Sequence, residues 1–148
     1  MQTVRRVNGT IASQLELTIK KSYFEPMTIR YATAVLTVAG ILALVLGLLL
    51  WIGLGVSLIS MHMLLGYLAV GALWIVAIGQ AFTKNGNWPI ALTALCLGAL
   101  TIWLGMTQAT LLSGQFHWLV QFIHLLLGLA IVGLGHMAAA RQRKASVR

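Results

Sequence analysis

Residues 61–82 read MHMLLGYLAVGALWIVAIGQAF, a stretch that contains no Asp, Glu, Lys or Arg. Three further windows share this property and lie at residues 31–54, 89–112 and 118–140. A helix that crosses a bilayer needs about 20 predominantly apolar residues, and each window is long enough. The links between the windows are short, so neighbouring helices must run antiparallel. The sequence therefore predicts an all-α, antiparallel four-helix bundle in a membrane.

The composition of the 148-residue chain supports this class: 59% of the residues are hydrophobic, 8% are charged and the mean hydropathy is +0.92. Soluble domains carry about 25% charged residues. Only two acidic residues occur here, Glu16 and Glu25, which argues against a soluble enzyme, a disordered chain or a disulfide scaffold. The single cysteine, Cys96, excludes an internal disulfide and a cysteine-based zinc or iron–sulfur site.

The net charge of +8 comes from residues that flank the apolar windows, which indicates contact with a membrane surface and not with nucleic acid. Lys and Arg occur in residues 1–30, in the link at 83–88 and in the basic tail at 141–148, and they are absent from the other two links. By the positive-inside rule, both termini and the 83–88 link face the cytoplasm. We expect a bacterial or archaeal plasma membrane and no cleaved signal peptide, because the first apolar run starts only near residue 31.

Residues 1–30 are expected to form a separate polar segment ahead of a bundle that covers residues 31–140. Leu15, Leu17 and Ile19 alternate with polar residues as in a strand, whereas Ile11, Leu15 and Ile19 have the spacing of a helix stripe. The pattern does not decide between the two. We expect a cytoplasmic or interfacial leader, with docking to a partner as the alternative.

The second half of the chain repeats the first. The sequence HMLLG at 62–66 reappears as HLLLG at 124–128, with an offset of 62 residues. Upstream, the glycines and leucines of residues 40–47 recur at 98–105, with an offset of 58 residues. Each half would be a hairpin of two helices, and both hairpins would have the same direction. The expected bundle is therefore a parallel repeat of two helical hairpins, with a pseudo-two-fold axis along the membrane normal.

The repeat places two histidines, His62 and His124, at equivalent depths near the outer side of the membrane. Ionisable residues inside a membrane are costly, and by default they suggest a function. Two imidazoles that face each other across a bundle core can hold a haem iron from both sides. Gly66 and Gly128 lie one helical turn deeper on the same faces and would leave room for a flat macrocycle. The residues therefore predict a b-type haem with His62 and His124 as metal ligands; packing or interface histidines are the alternative.

Two more polar residues are candidates for the same site. His117 precedes His124 by seven residues, about 10 Å further out on a similar face, where it would bind a haem propionate or simply lie in the interface. Gln121 precedes His124 by three residues and would orient its imidazole through a hydrogen bond. His136 takes the place of Trp74 in the repeat and is expected to be interfacial.

The segments GALTIWLG at 98–105 and VQFIHLLLG at 120–128, together with His62 and the Leu-Leu-Gly that follows Met63, resemble the haem A synthase family. Members of that family have four-helix bundles with a histidine on the second and fourth helices near the outer face. The resemblance covers residues 31–140 and implies a half-size member with one bundle, in which His62 and His124 ligate haem. The family also tends to have a glutamate one turn before the first histidine, whereas no window of this chain contains a glutamate.

These observations leave three functions open. The first is a b-type cytochrome that transfers electrons, alone or within a larger membrane complex, because two histidines would occupy both axial positions of the iron. The second is a haem A synthase-like monooxygenase, which would need an open iron position or a second haem site, for example in a homodimer. The third is a haem-free structural subunit of a membrane complex.

Overall fold

The computed structural model describes the backbone of residues 2–83, 86–112 and 114–146 and, within them, the side chains of residue 14 and residues 27–144. Over these residues the chain forms an all-α four-helix bundle, as the sequence predicts. The helices are α1 (Gln2–Trp51), α2 (Ile59–Ala81), α3 (Trp88–Thr107) and α4 (His117–Ser146), and a 3-10 helix at Val56–Leu58 precedes α2.

Each helix contains a segment that is long and apolar enough to cross a membrane. The four candidate spans are Met27–Trp51, Val56–Ala81, Trp88–Thr107 and His117–Lys144. Large apolar side chains cover much of the outside of these segments, as expected for a surface in contact with lipid. The protein is therefore assigned to the integral membrane proteins with four helices.

The boundaries of the spans agree with the sequence windows to within about five residues, and the largest discrepancy at a helix end has a local cause. The third window extends to residue 112, whereas α3 ends at Thr107. Residues 108–112 form turns, and Leu112 has a positive φ of 46°. The apolar window continues past the end of the helix because these turns contain no charged residue and end in Leu111 and Leu112, and hydropathy does not report backbone conformation.

α1 continues through the polar N-terminal segment. It runs without a break for 50 residues, so the boundary expected at residue 30 lies inside a helix. The backbone of residues 15–20 is helical, which favours the helix-stripe interpretation over the strand. The side chains of residues 2–13 and 15–26 lie outside the described residues.

The helix ends have recognisable caps. After α1, Gly53 adopts a φ of 79°, and its N–H donates to the carbonyl of Leu50 while the N–H of Leu54 donates to Leu49. This pair of bonds is the Schellman motif, which glycine favours because it has no Cβ. Before α3, the Asn87 side chain accepts from the N–H of Ile90, 3.2 Å away. The predicted helix start at Pro89 is thus confirmed to within one residue.

The bundle has two halves that differ in packing. We call residues 27–39, 69–81, 88–97 and 131–144 the terminal half, and residues 40–51, 59–68, 98–107 and 117–130 the histidine half. All the described residues of α1 and α2 that are buried lie in the terminal half. Leu36, Leu73 and Val76 are fully buried there. In the histidine half, the described buried residues come from α3 and α4 and are Gly98, Thr101, Leu104 and Val120.

α2 and α4 lie side by side through the middle of the bundle. They contact each other, whereas α1 and α3 share no contact over the described residues. Small residues allow this approach: a Cβ atom added to Gly135 of α4 would lie 3.4 Å from the Leu73 side chain of α2, and Ala77 and Ala138 are fully buried. Close packing of small residues is the usual source of helix association in lipid. It brings together the two helices that carry the repeated histidines.

Candidate functional site

The histidine half brings His62 of α2 and His124 of α4 next to each other, in an edge-on arrangement. Their ring centroids are 6.1 Å apart, and the ring planes make an angle of 63°. Both side chains are half-buried. Each lies within the first eight residues of its helix, at the same end of the bundle. The two histidines that the sequence repeat matches are therefore neighbours in space.

Each imidazole packs against a glycine of the preceding helix. A Cβ atom added to Gly47 of α1 would lie 3.1 Å from Cε1 of His62, and one added to Gly105 of α3 would lie 3.0 Å from Cε1 of His124. Both distances are shorter than an ordinary van der Waals contact, so a side chain at either position would press on the ring. His62 follows Gly47 by 15 residues and His124 follows Gly105 by 19, so the same contact recurs with four extra residues between its partners.

A second glycine contact recurs in the same way, deeper in the bundle. A Cβ atom on Gly40 of α1 would lie 2.7 Å from Val132 of α4, and one on Gly98 of α3 would lie 2.8 Å from Val70 of α2. The glycines are 58 residues apart and the valines 62, which are the two offsets of the repeat. α1 therefore packs on α4 as α3 packs on α2.

The space beside the histidine pair is open. A Cβ atom added to Gly66 or to Gly128 would meet no atom within 4 Å. Each glycine lies one helical turn from its histidine, on the same side of the helix. None of the described residues of α1 and α2 is buried in this half, whereas Thr101 and Leu104 of α3 are buried there.

The two imidazoles differ in their hydrogen bonds. Nδ1 of His62 lies 2.9 Å from the carbonyl oxygen of Ala43. Because a carbonyl can only accept, Nδ1–H of a neutral His62 donates, and the lone pair of Nε2 is left available for a ligand. Nδ1 of His124 is buried and has no hydrogen-bond partner. Thr101 occupies the position that the repeat matches to Ala43, yet no hydrogen bond joins its carbonyl to His124.

The other two candidate residues do not join the pair. His117 begins α4, where its Nδ1 lies 3.3 Å from the carbonyl oxygen of Leu111 in the α3–α4 link. This contact ties the link to the helix, two turns away from His124. Gln121 is half-buried one turn before His124, but the unpartnered Nδ1 of that imidazole receives no hydrogen bond from it.

His136 and its repeat counterpart Trp74 both connect helices in the terminal half. Nε2 of His136 lies 3.1 Å from Oγ1 of Thr37, which joins α4 to α1. Nε1–H of Trp74 donates to the carbonyl of Ala94, 3.2 Å away, which joins α2 to α3. His136 thus has a helix-linking contact that its position near the membrane interface did not suggest.

A second matched polar pair had no part in the sequence-based site. Gln80 of α2 and Gln142 of α4 are also 62 residues apart. The Oε1 atom of each is buried without a hydrogen-bond partner, and Gln80 is only 2% exposed. Extending the repeat beyond Gly133 to the end of α4 would have found them.

The site offers a metal two protein ligands. Among the described residues, no group of three or more His, Cys, Asp or Glu is placed to hold a metal ion. A metal held by His62 and His124 would therefore need further ligands from a bound molecule. No protein-family model, curated protein or solved structure matches the chain.

Proposed function

We propose that this chain is an integral membrane haem protein, a b-type cytochrome that transfers electrons alone or as a subunit of a larger membrane complex. His62 and His124 are the axial ligands of one haem between α2 and α4. The observation that carries the proposal is the meeting of two repeat-matched imidazoles, 6.1 Å apart, in the half of the bundle where α1 and α2 bury no described residue.

The separation of the rings fits two ligands of one metal ion. An imidazole nitrogen lies about 2 Å from a metal that it binds and about 1 Å from the centre of its own ring, so two rings that share an ion have centroids about 6 Å apart. The observed 6.1 Å agrees with this value. The interplanar angle of 63° is compatible with axial ligation, because each ring is free to rotate about its bond to the metal.

The surroundings of the rings fit a flat, bulky cofactor. Gly66 and Gly128 offer open space one turn from the ligands, and Gly47 and Gly105 keep the neighbouring helices close to the rings without pressing on them. The Ala43 carbonyl holds the His62 ring by Nδ1, an arrangement that metal-binding histidines commonly show.

The two recurring sets of glycine contacts also support the finer topology. We infer that the bundle is a parallel repeat of two helical hairpins, related by a pseudo-two-fold axis that passes between His62 and His124. From the Lys and Arg distribution we further infer that both termini face the cytoplasm and that the histidine pair lies near the opposite side of the membrane.

The chemistry expected of such a site is electron transfer. When bound, haem supplies a reversible one-electron change of its iron. His62 and His124 would both hold the iron, which favours electron transfer over reaction with a bound substrate. The role of the chain is then to fix the two rings and to surround the cofactor with a low-dielectric environment, which tunes the reduction potential.

An absorption spectrum tests the proposal. We expect the full-length protein, purified in detergent from cells supplied with a haem precursor, to show a Soret band and, on reduction, a sharp α band. His62→Ala and His124→Ala should each abolish these bands while the protein stays helical. The matched control His136→Ala should keep them, because His136 lies in the other half. A wild-type protein that stays colourless after haem supplementation would contradict the proposal.

A haem-free structural subunit is the second candidate, and the ring contact favours it in one respect. The two imidazoles already touch each other, and Ala43 satisfies His62, as in an ordinary packing contact. If the protein has this function, His62→Ala and His124→Ala lower the thermal stability of the haem-free protein. Neither the wild-type protein nor the variants then show a haem absorption spectrum.

A haem A synthase-like monooxygenase is the alternative that the resemblance implies. No carboxylate occurs in the candidate spans, so the chain lacks the glutamate that tends to accompany the chemistry of that family. Haem A in extracts of cells that express this chain, and its absence from control cells, would select this function over electron transfer.

A further inference from the structure

An apolar groove runs along the lipid-facing side of α1 and α2. It begins at the terminal end of the bundle, reaches the middle of the bundle and has a volume of about 860 Å³. Its walls include Met27, Tyr31, Val35, Tyr67, Leu68 and Ile75. This volume lies in the range of small-molecule binding sites, which is about 300–1,000 Å³.

Small residues line the part of the groove where α1 and α2 meet. Ala32 of α1 and Ala72 of α2 line it, and the repeat matches them to Ile90 and Leu134 in the second hairpin. Gly71 also lines it, and a Cβ atom added there would meet no atom within 4 Å. The first hairpin therefore has room at positions where the second hairpin has larger side chains.

Positive charge lies beyond the terminal end of the groove. α1 continues as one helix, on which Lys20 and Lys21 precede the groove residues Met27 and Thr28 by seven residues. Seven residues are two helical turns, about 10 Å along the axis, so these positions follow the same line along the helix. Arg30 is exposed next to Tyr31, and the chain has ten Lys and Arg against two acidic residues.

We propose that this groove binds one acyl chain of an anionic phospholipid from the leaflet on the terminal side. The acyl chain lies along the apolar walls between Gly71 and Ala32. The phosphate-bearing headgroup lies toward Arg30 and the part of α1 that carries Lys20 and Lys21. Charge complementarity selects the anionic lipid, because each basic residue near a membrane surface contributes to its attraction. The proposal does not depend on haem binding.

Spin-labelled lipids test this site directly. The full-length protein is placed in phosphatidylcholine nanodiscs with traces of phosphatidylglycerol or phosphatidylcholine labelled near the end of one acyl chain. Electron paramagnetic resonance then measures the motionally restricted fraction. We expect a larger restricted fraction for phosphatidylglycerol than for phosphatidylcholine. The double substitution Lys20→Gln, Lys21→Gln should lower this preference about fivefold or more.

Two matched glycine variants distinguish lipid bound in the groove from lipid on the rest of the surface. Gly71→Leu fills the groove and should remove the excess of restricted phosphatidylglycerol over phosphatidylcholine. Gly133→Leu, at the matched position of the second hairpin, should keep it, since a Cβ atom there also meets nothing within 4 Å. Thermal melting checks that both variants fold.

Three results would overturn the proposal. The first is an equal restricted fraction for the two lipids in the wild-type protein. The second is an excess of restricted phosphatidylglycerol that survives Gly71→Leu. The third is a disulfide-linked dimer of a Gly71→Cys variant that forms in nanodiscs and excludes the labelled lipid, because a second copy would then occupy the groove.

Discussion

The terminal half and the histidine half consist of the same four helices, yet they pack differently. In the terminal half, Leu36, Leu73 and Val76 form a close-packed core, and Gly135 lets α1 and α4 meet. In the histidine half, none of the described residues of α1 and α2 is buried, and the two imidazoles meet one helical turn from the open space at Gly66 and Gly128. The difference indicates that one half holds the helices together, whereas the other brings the two imidazoles together with fewer buried neighbours.

This division has a physical basis in the membrane. Without water between the helices, association in lipid depends on van der Waals packing and interhelical hydrogen bonds. A half that lacks packed side chains gives up that stabilisation unless another molecule supplies the contacts. A bound cofactor would supply them, so we expect the protein without its cofactor to be less stable in the histidine half.

The largest effect should come from overfilling the packed half. Gly135→Leu forces a side chain into Leu36 and Leu73, and we expect it to lower the free energy of unfolding by about 3 kcal/mol or more. Gly128→Leu, in the open half, should change stability by about 0.5 kcal/mol or less but block haem uptake. Unfolding in mixed detergent micelles and the Soret absorbance measure the two effects. Equal stability losses would contradict the distinction between the halves.

Creating a cavity should have the next largest effect. Leu73→Ala removes a fully buried side chain, and we expect a loss of about 2–5 kcal/mol, because the surrounding helices cannot close the space completely. Leu126→Ala, at a residue of the histidine half that is 48% exposed, serves as the control and should cost much less. The comparison uses the same unfolding assay, and a similar loss for both variants would show that the histidine half is packed after all.

A smaller effect is expected at the glycines that face the rings. Gly47→Ala and Gly105→Ala bring a methyl group to about 3 Å from His62 or His124, so each ring must shift. We expect haem affinity, measured by titration of the haem-free protein, to fall about tenfold for each variant. Gly133→Ala, where the methyl group meets nothing, is the control, and an affinity unchanged in all three variants would rule out a contact role for these glycines.

The smallest effect concerns the hydrogen bond between Thr37 and His136. Thr37→Val keeps the shape of the side chain and removes the hydroxyl, and we expect a loss of about 0.6 kcal/mol, the average for such bonds in membrane bundles. A double-mutant cycle with His136→Ala isolates the interaction. A coupling energy near zero would show that the two side chains contribute to stability independently.

Part of the site was visible in the sequence. The repeat of His62 and His124 was enough to predict that they lie at one depth. All the matched residues of α2 and α4 differ by 62 in number, so matched positions on the two helices lie at the same level. It also predicted that Gly66 and Gly128 have no crowded neighbour. The environment of His124 was not visible: its unpartnered Nδ1 depends on how the neighbouring helices are rotated about their axes, and the absence of a hydrogen bond from Gln121 depends on side-chain rotamers. The repeat did not show that the Oε1 atoms of Gln80 and Gln142 are buried without a hydrogen-bond partner.

The sequence by itself determined the four apolar spans, their antiparallel order and the pairing of residues by repeat, because span length, link length and spacing are local properties of the chain. Only the tertiary structure decided that α2 and α4, and not α1 and α3, lie in contact, that α3 ends at Thr107, and that the core occupies one half of the bundle. These features depend on how side chains from different helices pack against each other, and the apolar composition of each helix does not specify that packing.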